Sequence, residues 1–190
     1  MMEHPPLDTA PMPVRLCIAD YLLLDQSGAF ERYAKTELIE GEILSMNAQH
    51  RPHARIKSRL HRLLADALDR QGGGLEAIVE GSIEIPPRNM PEPDIVVTSA
   101  AEGDGFIPLD SVALVVEVSD STLAFDLGAK RRLYAKAGVP EYWVVDIDAR
   151  SVRQMWEPTE GAYAAEREIA FGETMIAAKV QGLTVETVAL

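Results

Sequence analysis

Val112-Ala-Leu-Val-Val-Glu117-Val-Ser119 decides how this chain is read. From Val112 to Val118 the run is apolar except at Glu117, as expected of a central strand covered on both faces. Burying a carboxylate there costs on the order of several kcal/mol unless it is paired or bound to a metal. Chemistry is the usual reason for keeping such a group. Upstream, Pro91-Glu-Pro-Asp94-Ile-Val-Val97 places a second carboxylate at the entry of another apolar strand. Downstream, Asp126-Leu-Gly-Ala-Lys130 sets a lysine on a helix, with Tyr134 one turn further along the same face. Asp, Glu and Lys converging at strand ends form a minimal set for metal-assisted phosphodiester hydrolysis.

Working outward, Val14 to Leu24 reads as a short helix stopped at Asp25-Gln-Ser-Gly28. Two short strands flank the Glu40-Gly41 turn within Glu37 to Leu44. Pro52 suits a helix start, and Ile56, Leu60, Leu63, Leu64, Ala67 and Leu68 recur at helical spacing through about Arg70. Arg55, Arg59 and Arg62 form another stripe, and basic residues in a first turn oppose the helix dipole, which points to an anion nearby. After Gln71-Gly-Gly-Gly74, strands are expected over Leu75 to Glu80, Gly81 to Ile85 and Asp94 to Thr98, the first two possibly one bent strand. A loop follows from Ala101 to Leu109. A helix from Leu123 to Ala137 ends at Gly138, a buried strand spans Tyr142 to Ile147, and Ser151 to Trp156 leads into two or three weaker strands. This order predicts a mixed α/β fold, a mixed central sheet flanked by helices.

The chain has 190 residues, 47% apolar and 25% charged, which fits one domain over 14–190 with a substantial core. Residues 1–13 read as a disordered, proline-rich lead without a secretory signal. Cys17 is the sole cysteine, so no intrachain disulfide forms and a cytoplasmic location is expected. No stretch is apolar for the ~20 residues of a membrane span. The net charge of −12 opposes non-specific duplex binding. Its distribution is uneven: His50 to Arg62 and Leu127 to Pro140 carry nine Lys and Arg and no acid. Two solvated helix faces or a polyanion-docking side explain this equally well.

Singly, each candidate has an ordinary explanation. Asp94 could be a turn residue, Glu117 could pair with a core arginine, and Asp126 and Lys130 could form an exposed ion pair. Together, Pro93-Asp94, Glu117 in its apolar strand and a following lysine resemble the PD-(D/E)XK nuclease superfamily. In the usual form the lysine lies two residues after the glutamate, where this chain has Ser119. The wider wording carries the resemblance further: Glu37-Leu-Ile-Glu-Gly41-Glu, Val116-Glu117-Val118-Ser119, Asp126-Leu-Gly-x-Lys130, and Tyr134 through Tyr142-Trp143-Val-Val-Asp146. It is similar to the Uma-type family of restriction-endonuclease-like proteins, with the lysine moved onto the helix at Lys130.

The resemblance implies a restriction-endonuclease-like core with its site at one sheet edge, and a Mg²⁺- or Mn²⁺-dependent DNA endonuclease. Asp94, Glu117 and the Val118 carbonyl would hold the metal, and Lys130 would polarise water and offset phosphate charge. Glu37, with Glu40 and Glu42 as neighbouring alternatives, would orient water or a second ion, an ordinary solvent-facing hairpin residue being the competing explanation. His53, Arg55, Arg59 and Tyr134 would meet the substrate, although His53 reads more simply as a surface histidine at a helix start. A homodimer is the default assembly for cutting two strands. The rival reading, favoured by the acidic charge and by Ser119, is a nucleic-acid-binding or assembly module on a nuclease fold.

Overall fold

Strands buried on both faces set the architecture. The computed structural model of the protein describes residues 12–46 and 48–190, so most of the expected N-terminal lead lies outside the described residues. The chain opens with α1 (Ile18–Gln26), β1 (Lys35–Ile39), β2 (Glu42–Met46) and α2 (Arg51–Gln71). Then come β3 (Glu76–Val79), β4 (Ile83–Glu84), β5 (Ile95–Thr98), β6 (Ile107–Pro108) and β7 (Val112–Ser119). A helical stretch follows, made of α3 (Leu123–Phe125), a π-helical turn (Asp126–Lys130) and α4 (Arg131–Ala137). The remaining strands are β8 (Glu141–Asp146), β9 (Ser151–Pro158), β10 (Tyr163–Ala170), β11 (Thr174–Ile176) and β12 (Thr184–Glu186).

The central sheet has the order β10-β9-β8-β7-β5-β3. Only its β7–β8 pair is parallel, joined by the helical crossover that parallel neighbours require. Side-chain alternation divides the buried residues into two layers. Ile95, Val97, Leu114, Val116, Trp143 and Val145 face α2, meeting Ile56, Leu60 and Leu64. Val96, Val115, Tyr142 and Val144 face α4, meeting Tyr134 and Ala135. Glu117 shares its parity with Val115 and so falls on the α4 side. A register shift at Val97/Thr98, which pairs with Leu114 and Val112, lets Val112 join that layer as well.

Residues Met175, Val180, Leu183, Val185 and Leu190, from β11 to the C-terminus, close the α2-side layer. Glu141, wholly buried, holds this segment in place. Its carboxylate accepts the Trp143 indole N–H at 2.6 Å and the backbone N–H groups of Ala178 and Lys179 at 3.0 and 2.8 Å.

Several expected elements move. The first helix starts at Ile18 rather than Val14 because the Cys17 N–H is capped by Asp20 Oδ2 at 2.8 Å. The stretch read as a possible single strand is divided between two sheets: β3 pairs with β5, whereas β4 pairs with β6. Glu80, with φ of 53°, turns the chain between them. Gly81 follows, where an added Cβ would crowd Ile107 Cδ1 at 2.5 Å and Ile78 Cγ2 at 3.2 Å. The loop expected over Ala101 to Leu109 includes β6 at its end. Among the described residues, no helix is long and apolar enough to cross a membrane.

Candidate active site

Asp94 and Glu117 come together because β5 runs antiparallel to β7. Ile95 pairs with Val116, so the residue before β5 lies beside the last turns of β7. The site therefore sits at the ends of two interior strands, not at the sheet's lateral edge, because strand order places β5 and β7 between β8 and β3. From the side, the β1–β2 hairpin lays Glu37 over the same point. Leu38 anchors that hairpin by exchanging backbone hydrogen bonds with Met90 and packing on Ile18 and Tyr21. Alternation then turns Glu37 to the opposite face, into the cleft. The π-helical turn supplies Lys130.

These groups meet at the floor of a cavity of about 630 Å³. Exposure is 0% for Glu37, 5% for Asp94, 4% for Glu117 and 2% for Lys130. The Lys130 ammonium donates to Glu117 Oε1 at 2.8 Å and to Glu37 Oε1 at 3.2 Å. Glu37 Oε2 also lies 3.2 Å from the ammonium but is out of line for a hydrogen bond, and it is buried without a hydrogen-bond partner. The Tyr134 hydroxyl donates to Glu117 Oε1 at 3.0 Å. Burial pushes Glu117 up to about 8 despite the pull of Lys130, and Asp126, Asp94 and Glu37 add to the rise. Burial alone would lower Lys130, but the carboxylates of Glu117, Glu37 and Asp126 outweigh it and raise the lysine, so the ammonium stays charged. Tyr134 is likewise held protonated, by burial first and by the Glu117 and Glu37 charges second.

Asp94 belongs to a second network. Its Oδ2 accepts the Val118 N–H at 2.8 Å and lies 3.2 Å from His53 Nε2. Gln49 donates to Oδ1 at 3.3 Å, and the Lys57 ammonium is 3.5 Å from the same oxygen. Burial raises the Asp94 carboxyl, yet the His53 bond and charge, the Val118 N–H and Lys57 together bring it below its ordinary value. Lys57 also bonds Glu80 and Gln49, each at 2.6 Å. Asp126 is braced by the Ser119 and Thr122 hydroxyls at 2.8 and 2.6 Å.

The structure thus gathers Glu37, Asp94, Glu117, Val118, Lys130 and His53 into one cleft. It leaves three expected substrate contacts elsewhere. Arg55 and Arg59 are exposed on α2 and do not line the cavity. Tyr134 is wholly buried behind Glu117, so the residue read as meeting substrate instead holds a carboxylate. Sequence reasoning passed over Lys35, Gln49 and Lys57. Spacing could have found two of them: Lys35 precedes Glu37 by two on β1, and Lys57 follows His53 by four on α2.

Among the described residues, no three His, Cys, Asp or Glu side chains form a ready metal-holding cluster. The donor set still suits a hard divalent cation. Both bonds to Glu117 fall on Oε1, leaving Oε2 outside them. Glu37 Oε2 is an orphaned buried acceptor. The Val118 carbonyl points to the same side of β7 as its N–H, which is toward Asp94.

Two comparisons bear on this arrangement. A crystal structure titled as a putative nuclease belonging to DUF820, from Anabaena variabilis, superposes with a TM-score of 0.62. It is 17% identical, and the match covers 81% of this chain and 88% of that one, a likeness of fold. No curated protein matches the chain. The sequence model of the Uma2 family, described as "Putative restriction endonuclease", matches residues 18–188. With nearly its whole length in that match, and the nuclease-like fold around Asp94, Glu117 and Lys130, the chain belongs to the Uma2 family of restriction-endonuclease-like proteins.

Proposed function

We propose that the protein is a divalent-metal-dependent nuclease that hydrolyses DNA phosphodiester bonds in this cleft. One observation carries the reading: a buried ammonium is bonded to two buried carboxylates, with a third carboxylate in the same cavity. A purely structural pair would need neither the extra carboxylates nor an opening to solvent.

Asp94, Glu117 and the Val118 carbonyl would hold Mg²⁺ or Mn²⁺. The ion supplies Lewis-acid polarisation of the phosphate and a more acidic water. The chain's own groups do the rest. Lys130, kept cationic by its neighbours, stabilises the charge that grows on the phosphate and cannot serve as a base. Glu37 Oε2, free of hydrogen bonds, orients the attacking water. Tyr134 fixes the rotamer of Glu117, and His53 with Val118 fixes that of Asp94. The water oxygen bonds to phosphorus as the bond from phosphorus to one sugar oxygen breaks. A water proton ends on the departing alkoxide, leaving a phosphomonoester and an alcohol.

Purified protein should cleave supercoiled, linear or single-stranded DNA in Mn²⁺ or Mg²⁺ and not in EDTA. Asp94→Asn and Glu117→Gln should each lose at least about 10²-fold in rate while unfolding cooperatively. Full activity in either variant would sink this mechanism.

A further inference from the structure

The depth and charge of the cleft bear on the form of nucleic acid it accepts. The groups that must meet the scissile phosphate are at most 5% exposed, so the phosphate has to descend to them. The space above them, about 630 Å³, is of the class that encloses a small-molecule ligand, about one nucleotide with its phosphates. The rim is acidic. Exposed Glu80 and Asp120 stand at the mouth, and Glu37, Asp94, Glu117 and Asp126 line the interior, against Lys35 and Lys130 in the lining and Lys57 bonded to Glu80 and beside Asp94.

A base-paired duplex meets these conditions poorly unless it is opened. Its phosphates sit on a stiff convex surface beside a second, equally charged backbone, and binding it depends on dense cationic neutralisation. Six carboxyl groups against three lysines oppose that. A single strand bends freely, brings one backbone, and can lower one unpaired nucleotide into a pocket. We infer that the cleft takes its nucleic acid as a single strand, at a free end, a flap or an unpaired stretch, and rejects an intact duplex. This rests on the nuclease reading above.

The test uses the full chain, Mn²⁺ and end-labelled DNA of one sequence: a single strand, the blunt duplex, and the duplex with a single-stranded flap. Cleavage of the single strand and the flap at least tenfold faster than the blunt duplex is expected. Equal rates, or a faster duplex, would overturn the inference and leave the nuclease standing. No cleavage of any substrate would overturn the nuclease reading. Binding in Ca²⁺, followed by fluorescence anisotropy, then decides the inference by itself: at least tenfold tighter single-strand binding supports it, and equal or absent binding overturns it. Ser121→Trp narrows the mouth without touching the catalytic groups. It should cut single-strand cleavage at least tenfold with an unchanged thermal midpoint, and retained cleavage would count against entry through this mouth.

Discussion

Glu117 shows how one residue carries both a cost and a use. Its carboxyl is raised from an ordinary value of 4.5 to about 8, by burial before anything else. The native state therefore keeps a proton that the unfolded chain releases within that interval. Its contribution to stability is complete below the unfolded value and is lost as pH climbs through the folded one. Without metal, wild-type stability should fall relative to Glu117→Gln between about pH 5 and pH 8, by the order of a few kcal/mol. Denaturant titrations in EDTA across that range would show it, and parallel curves would contradict the assignment. Asp94 behaves oppositely, since its value is lowered and its contribution is lost only on acidification. Both residues were legible in the sequence because a carboxylate inside or at the mouth of an apolar strand stands out. Lys35 and Lys57 were legible only through their spacing from Glu37 and His53, because a lysine by itself reads in sequence like any solvated lysine.

At the scale of elements, the helix expected over Leu123 to Ala137 is continuous but widened at its centre by the π-helical turn. That turn places Asp126 and Lys130 in the site, both nearly wholly buried. Gly128 sits within it, and an added Cβ there would meet nothing within 4 Å. Gly128→Ala should raise stability by about 0.5 to 1 kcal/mol, through a less flexible unfolded chain and better helix propensity, with cleavage retained. A drop in stability measured by denaturant midpoint would mean that the turn itself needs glycine. In α2, Leu64 is wholly buried against the sheet, and Leu64→Ala should cost about 2 to 5 kcal/mol by the same measurement. The periodicity of α2 and the apolar runs of β5, β7 and β8 were readable because local pattern alone determines them. The division of β3 from β4 was not. It depends on the positive φ at Glu80 and on pairing with β6, more than twenty residues away in sequence.

For the whole molecule, the net charge of −12 and the acidic cleft leave α2 and α4 as the elements that carry exposed basic stretches. Exposed Arg55 and Arg59 lie on α2, whose N-terminus borders the cavity through His50 and His53. If they hold phosphates outside the site, Arg55→Gln with Arg59→Gln should weaken DNA binding and flatten its salt dependence by about 0.7 to 0.9 per lost phosphate contact. The rate at saturating DNA should hold. An unchanged salt slope would return these arginines to the status of a solvated face. The sequence left exactly that choice open, because net charge does not say where a helix points its arginines.

The segment pinned by Glu141 has a consequence for how the protein is made. Every group lining the cleft has been synthesised once Tyr134 has been added. The side chains that seal the layer under α2, Met175 through Leu190, are made more than forty residues later. A nascent or truncated chain thus holds the reactive constellation before it holds the scaffold that would align it. The cleft should therefore gain its fixed geometry only after the stretch from Met175 to Leu190 has been made and packed.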